Sequence, residues 1–153
     1  MSTHYGDIPV GAAVPFLFDS FAAATGASIT LTGLALADIK VYKDGGVAER
    51  ASTAGYTLLD TDGIDFDGIT GIHGFSINTG DNTTAGFWTA GSWYHVVINS
   101  VTVDGQAINF VAFSFRLVRA EGVTGVPSVN ITHVIADPIG AGSTAVTNWG
   151  RTP

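Results

Sequence analysis

Residues 108–118, INFVAFSFRLV, carry the alternation of side chains that decides the fold. Successive side chains of a β-strand point to opposite faces, so residues two apart share a face. The face that is apolar along its length consists of Val111, Phe113, Phe115 and Leu117. We therefore predict a strand at 108–118 whose four residues on this face point into a hydrophobic core.

The same alternation recurs upstream, between short turn signals. Further strands are predicted at 14–21, 27–34, 39–43, 72–78 and 93–101. Asp44-Gly45-Gly46 and Asp104-Gly105 are the dipeptide signals of tight turns that reverse the chain. About seven to nine short strands with a turn every 8–12 residues are typical of a sandwich. The sequence thus predicts an all-β fold, an antiparallel immunoglobulin-like β-sandwich with extended terminal arms.

Composition changes along the chain divide it into three parts. We predict an N-terminal arm at 1–13, the β-sandwich at 14–120, and a linker, short strand and C-terminal arm at 121–153. The arms are rich in Gly, Pro, Ala and Thr, yet they carry the apolar residues Tyr5, Ile8, Ile139, Val146 and Trp149. Apolar anchors on a segment without its own core favour ordering on a partner. We therefore expect a homo-oligomer, with a trimer as the predicted form.

Charge and composition argue against several classes of partner. The chain has 153 residues, 13 acidic against 6 basic side chains, and a net charge of −7. Binding to nucleic acid requires a basic face, which six cations spread along the chain do not form. The apolar stretches are too short to span a bilayer, and the N-terminus lacks the features of a signal peptide. We expect synthesis in the cytoplasm and no membrane partner.

Four carboxylates in one Gly-rich stretch form the best candidate for a metal site. They are Asp60, Asp62, Asp65 and Asp67. Such a loop can bind a hard cation such as calcium, but the spacing does not match an EF-hand loop. The alternative is a pair of solvated turns in which Asp caps the turn, and we favour it.

No catalytic motif is evident. The four histidines, His4, His73, His95 and His133, lie in different segments and lack the spacing of a zinc site. Cysteine is absent, which excludes thiolate ligands and nucleophiles. A triad of Ser92, His95 and Asp104 can be written down, but no GxSxG motif accompanies it. We therefore predict no catalytic activity and no cofactor.

The densest aromatic segment is AGFWTAGSWY at 85–94. Exposed aromatic rings there would suit a sugar-binding platform. The alternative, which we favour, is that these rings plug one end of the sandwich just before a core strand, as a tyrosine corner does.

Several short stretches between Ser28 and Val118 carry a resemblance to a known group of proteins. They are SITLTG at 28–33, IKVYKDGG at 39–46, Glu49-Arg50, STAG at 52–55, FDGITGI at 66–72, AGF at 85–87 and VTVDGQ at 101–106. This region resembles a β-rich domain of uncharacterised virion proteins of tailed bacteriophages.

The resemblance implies a structural role on the virion surface. In such proteins the domain often precedes fibre-like repeats, and this sequence departs from that pattern by stopping at Pro153. We therefore expect a capsid decoration protein that stabilises the particle by contacts with the major capsid protein and with copies of itself. The alternative is a tail, neck or fibre-base protein with an adhesion role, in contact with tail proteins and with a receptor or glycan.

Overall fold

The computed structural model describes residues 3–59 and 65–120, apart from the side chain of Thr3. Seven strands make up most of this part: β1 Thr3–Pro9, β2 Ala13–Asp19, β3 Ile39–Lys43, β4 Tyr56–Leu58, β5 Ile72–Asn78, β6 Trp93–Val103 and β7 Gln106–Val118. The helices of the described residues are 3₁₀ turns at Leu36–Asp38 and Phe66–Gly68. Neither of them is long and apolar enough to cross a membrane.

The strands form two sheets that pack around one core, as predicted for an all-β sandwich. One sheet has four strands in the order β1-β7-β6-β3, and the other has three in the order β2-β5-β4. All pairs are antiparallel except β1 with β7, which run parallel. Two predictions are corrected here: the sandwich is not wholly antiparallel, and the predicted N-terminal arm contributes strand β1 to the four-stranded sheet.

Both predicted tight turns are present. Asp44 and Gly45 have φ of 51° and 73°, and Asp104 and Gly105 have φ of 52° and 74°. A two-residue hairpin turn whose twist matches that of its strands requires positive φ at both of its central residues. The second of these turns joins β6 directly to β7.

Aromatic rings fill the centre of the core. Phe16 of β2 stacks on Phe113 of β7, with 3.8 Å between the ring centroids. Phe75 of β5 lies 5.8 Å from Phe113, and Phe16 lies 5.9 Å from Phe115. Because these rings come from both sheets, their packing fixes how one sheet sits on the other.

One residue of the predicted core stripe is misplaced. Phe113, Phe115 and Leu117 are buried, but Val111 is 45% exposed. The pairing of β6 with β7 shifts register between Val96–Phe113 and Val97–Val111, so Ala112 is an extra residue in a β-bulge. A bulge reverses which side chains face inward. Before the bulge Phe110 faces the core, and after it Phe113 does.

The predicted strand at 27–34 is also corrected. The structure gives it only single bridges, Phe21 with Ser28 and Thr32 with Thr102. Gly33 has φ of 81°, which interrupts extended backbone. Leu31 is nevertheless fully buried, so this segment still contributes to the core.

A buried arginine joins the loop between β3 and β4 to the loop between β5 and β6. The guanidinium of Arg50 donates to the carbonyl oxygens of Ser52 and Ala54 and forms an ion pair with Asp81. It also lies over the ring of Tyr56, 5.2 Å from the centroid, and at 5.3 Å from that of Trp88. Arg50 is thus a structural cation, not a surface group.

The outer strands of both sheets are protected against pairing with another chain. β1 has a bulge at Tyr5 and ends at Pro9, and β2 carries Pro15 near its middle. The backbone N–H of Arg50 donates to the carbonyl of Val41 on β3, and β4 is only three residues long. Bulges, prolines and short edge strands discourage edge-to-edge association. The edge strands are therefore poor sites for pairing with a strand of another chain.

Candidate functional site

The aromatic segment 85–94 is built around Tyr94, at the start of β6. Tyr94 is fully buried, and its ring lies 5.2 Å from that of Phe115. Its hydroxyl donates to the carbonyl of Phe87 at 2.8 Å and accepts from the N–H of Thr89 at 2.8 Å. Trp88 and Phe87 pack on the same ring, at 5.0 and 5.6 Å. This geometry supports the interpretation of the segment as an end plug.

Removing the Tyr94 hydroxyl tests that interpretation. We expect Tyr94→Phe to lower the free energy of unfolding by about 1–2 kcal/mol, because two backbone groups of the preceding loop lose their partner. Urea denaturation of the purified protein measures the change. Tyr42→Phe, on the outer face of β3, is the matched control and should change stability by less than about 0.5 kcal/mol. Equal effects would contradict the role assigned to the Tyr94 hydroxyl.

Asp65 and Asp67 are the two described members of the predicted carboxylate cluster; Asp60 and Asp62 lie outside the described residues. Asp65 accepts from the hydroxyl of Thr30 at 2.6 Å and from the N–H of Gly71 at 2.8 Å. Both oxygens of this carboxylate thus have donors in the chain. Asp67 has φ of 54° within a 3₁₀ turn. Among residues 3–59 and 65–120, no group of three or more potential ligands is close enough to hold a metal ion.

Ser20, His73 and Asp65 form a Ser–His–Asp group that the sequence did not suggest. The Oγ of Ser20 is 2.7 Å from Nε2 of His73, and Nδ1 of His73 is 4.0 Å from Oδ1 of Asp65. The Ser20 hydroxyl donates to the carbonyl of Ile29, so its oxygen accepts from Nε2–H of His73. A general base must instead accept the proton of the serine. His73 and Ser20 are buried, so we interpret the group as structural. Its polar contacts join the end of β2, at Ser20, to His73 of β5 and to Asp65 in the segment before β5.

The hydrogen bonds to Asp65 predict an acid dependence of stability. The Thr30 hydroxyl, the Gly71 N–H and the nearby His73 hold the pKa of Asp65 below its ordinary value. A carboxyl whose folded pKa is depressed stabilises the protein above its unfolded pKa of about 3.9, and this contribution is lost as pH falls through the folded pKa. We expect the melting temperature to drop below about pH 4, and to drop less in Asp65→Asn. If the melting temperatures of the unaltered chain and of Asp65→Asn fall equally below about pH 4, this assignment is contradicted.

The other proposed triad is not assembled. Ser92 precedes β6, His95 is near the start of that strand, and Asp104 lies in the turn after its end. The carboxylate of Asp104 instead accepts from the N–H of Ala23 at 3.2 Å. His95 and Asp104 are thus nine residues apart, towards opposite ends of β6. His4 is exposed on β1, and His133 is outside the described residues.

The predicted interaction residues differ in exposure. Tyr5 is 50% exposed, although its ring packs edge-on against Phe16 and its hydroxyl donates to the Pro15 carbonyl at 3.0 Å. Ile8 is only 6% exposed within the core of its own chain. It is therefore a core residue and not the intermolecular anchor that the sequence suggested. Ile139, Val146 and Trp149 lie outside the described residues.

An apolar groove on the outer face of the three-stranded sheet was not predicted. It has a volume of ≈430 Å³ and is lined by Tyr5, Pro15, Leu17, Leu59 and Phe66. Leu17 is 54% exposed, and Gly74 between Leu17 and Leu59 leaves room for both, since a Cβ there would lie 2.7 Å from Leu17. The sequence signal was the unbroken run Phe16-Leu17-Phe18, whose middle residue must point outward from the core.

The four-stranded sheet also exposes apolar side chains on its outer face. Trp93 is 43% exposed and lies 5.0 Å from the ring of His4. Val111, displaced outward by the bulge, pairs with Val97 further along the same face. Arg116, directly opposite Trp93 on β7, adds a positive charge. Each face of the sandwich therefore carries exposed apolar side chains.

A scan against models of protein families finds no match to this chain. The search of curated proteins finds no similar sequence either.

Proposed function

We propose that this chain is an immunoglobulin-like structural module that acts by protein–protein contact, as a capsid decoration protein of a bacteriophage virion. The observation that carries the proposal is the exposure of large apolar side chains on both faces of a sandwich whose edge strands are protected. Such a molecule associates through its faces and needs no enzymatic pocket.

Strand order supports the immunoglobulin-like assignment. In that fold one sheet contains strands B, E and D, and the other contains G, F and C. The orders β2-β5-β4 and β7-β6-β3 match these series when the strands are lettered along the chain. Tyr94, near the start of the strand that corresponds to F and bonded to the preceding loop, supports the same assignment. Pairing of β1 with β7 is the departure from the ABED arrangement.

Assignment to a virion rests on the resemblance of residues 28–118 to virion proteins of tailed phages. An acidic chain with few free cations is consistent with a protein that contacts other proteins and not the packaged genome. The adhesion alternative requires an aromatic platform at 85–94. It receives less support, because Tyr94 is buried and Phe87 and Trp88 are half-buried against it, which leaves Trp93 as the exposed ring of the segment.

Cosedimentation tests the proposed function directly. Particles of the encoding phage that lack this chain, by deletion of its gene or by stripping, are purified on a gradient. The purified chain is added to them, and the bound chain is measured after the particles are pelleted. We expect saturable binding to heads, and weaker binding by a chain lacking residues 136–153. Binding to isolated tails but not to heads would favour the adhesion alternative. No binding to either would overturn the virion proposal.

A further inference from the structure

An apolar cavity opens between the two sheets at the end of the sandwich where β6 turns into β7. Its volume is ≈230 Å³, and its walls include Phe18 of β2, Val103 of β6 and Phe110 of β7. Leu31, which also lines it, is fully buried, whereas the lining residue Phe21 is 50% exposed. The cavity is therefore enclosed by side chains of both sheets and reaches solvent on the side of Phe21.

The charged groups beside this cavity are carboxylates. Asp19, which lines the cavity, is exposed and forms no hydrogen bond or ion pair with the described residues. Asp104, in the turn after β6, is also exposed and accepts from the N–H of Ala23 at 3.2 Å. The imidazole of His73 is buried and bound to the hydroxyl of Ser20, so it does not face the open side of the cavity.

The lysines and arginines of the described residues lie elsewhere. Lys40, Lys43 and Arg50 are each bound to a carboxylate or carbonyl oxygen that does not belong to the cavity. Arg116 and Arg119 are at the far end of β7, away from the turn that joins it to β6. Within residues 3–59 and 65–120, no basic side chain of the chain itself therefore neutralises Asp19.

We propose that this cavity binds a small organic cation, in which an ammonium group is attached to a single aromatic ring or a short branched alkyl chain. An apolar cavity of about 150 Å³ is large enough to bind benzene, so the cavity described here accommodates one ring with a short chain. The apolar walls select the hydrocarbon part, and the carboxylate of Asp19 selects a positive charge at the open side. This binding site goes beyond the proposed function and does not depend on it.

Three probes of similar size and different charge test the proposal: phenethylamine, phenethyl alcohol and phenylacetate. Each is titrated at neutral pH into the isotope-labelled chain, and binding is followed by heteronuclear NMR. We expect phenethylamine to bind with a Kd of about 0.1–1 mM, as suits a ligand of this size. The amide shifts should be confined to residues 18–21, 31 and 103–110. Phenethyl alcohol should bind about three- to fivefold more weakly, and phenylacetate about tenfold more weakly, because Asp19 repels its charge.

Asp19→Asn tests the charge, with Asp7→Asn as the matched control. Asp7 is equally exposed but lies on β1, paired in register with Arg116 at the far end of β7. Asp19→Asn should weaken phenethylamine binding about three- to fivefold and leave phenethyl alcohol binding unchanged. Asp7→Asn should change neither. Higher salt should reduce the preference for the amine.

Ile108→Trp tests the cavity itself. Ile108 lines the cavity and is partly buried, so a larger side chain there fills the space and should abolish binding of phenethylamine and phenethyl alcohol. Circular dichroism verifies folding. If this variant does not fold, Phe21→Ala replaces it; because Phe21 is half exposed, its removal is tolerated, and it should weaken the binding of both probes.

Three results would overturn the proposal: no localised shifts with phenethylamine at about 10 mM, phenylacetate bound as tightly as phenethylamine, or equal effects of Asp19→Asn and Asp7→Asn. Binding that survives in a folded Ile108→Trp, or is unchanged in Phe21→Ala, would show that the probe lies elsewhere. None of these measurements involves a phage particle, so their failure leaves the virion proposal standing, and failure of cosedimentation leaves this site standing.

Discussion

Phe113→Ala is expected to lower the free energy of unfolding by about 3–5 kcal/mol. Phe113 is buried at the centre of the core, stacked on Phe16 at 3.8 Å and within 6.3 Å of Phe75 and Phe115. Truncation removes apolar contact with both sheets and leaves a cavity that the surrounding rings fill only partly. Urea or guanidinium titration followed by tryptophan fluorescence measures the loss.

Two valine substitutions are the controls for this prediction. Val111→Ala, two residues away on the same strand, should cost less than about 1 kcal/mol because the bulge turns it outward. Val101→Ala, which is fully buried on β6, should cost clearly more than Val111→Ala although the same atoms are removed. If Val111→Ala proves as harmful as Val101→Ala, the bulge at Ala112 is wrongly placed.

The second large effect is expected at the buried arginine. Arg50→Met keeps the aliphatic length but removes the guanidinium. The carbonyls of Ser52 and Ala54 then lose their donor, and Asp81 loses its cationic partner and keeps its hydrogen bonds with Thr83. Loss of a buried hydrogen-bonded cation costs about 2–4 kcal/mol. We expect a destabilisation of this size in chemical denaturation, with the loops at 49–56 and 79–88 exchanging amide hydrogens faster.

Lys40→Met is the matched control, since it breaks the ion pair of Lys40 with Glu49 at 3.1 Å on the surface. Exposed pairs contribute about 0–1 kcal/mol, so this variant should be almost as stable as the unaltered chain. Similar losses in Arg50→Met and Lys40→Met would show that Arg50 does not hold the loops together.

Periodicity in the sequence identified most of the sheet, and the bulge explains its main failure. Alternation located β3, β5, β6 and β7 because each has one buried face. It could not place Val111, since an inserted residue reverses the alternation without a marker in the local sequence. It also missed β1, whose residues Thr3–Pro9 include a glycine and a bulge and do not alternate clearly.

For the candidate sites too, the sequence predicted some features and missed others. The interpretation of 85–94 as an end plug was accessible because its glycine-flanked aromatic residues come just before a predicted core strand. Contacts between distant segments could not be predicted from the sequence. Ser20 and His73 are 53 residues apart, and only the pairing of β2 with β5 brings them together. The groove around Leu17 likewise depends on which side chains of neighbouring strands stand next to each other, which periodicity within one strand does not reveal.

The most direct test of the central claim, that this chain is a structural part of a virion, is quantitative mass spectrometry of gradient-purified particles of the encoding phage. A capsid decoration protein should be present in numbers comparable to the major capsid protein, and should stay with heads when tails are removed. A few copies per particle that remain with the tails would favour the adhesion role. Absence from particles, with the chain still found in the infected-cell lysate, would contradict the account.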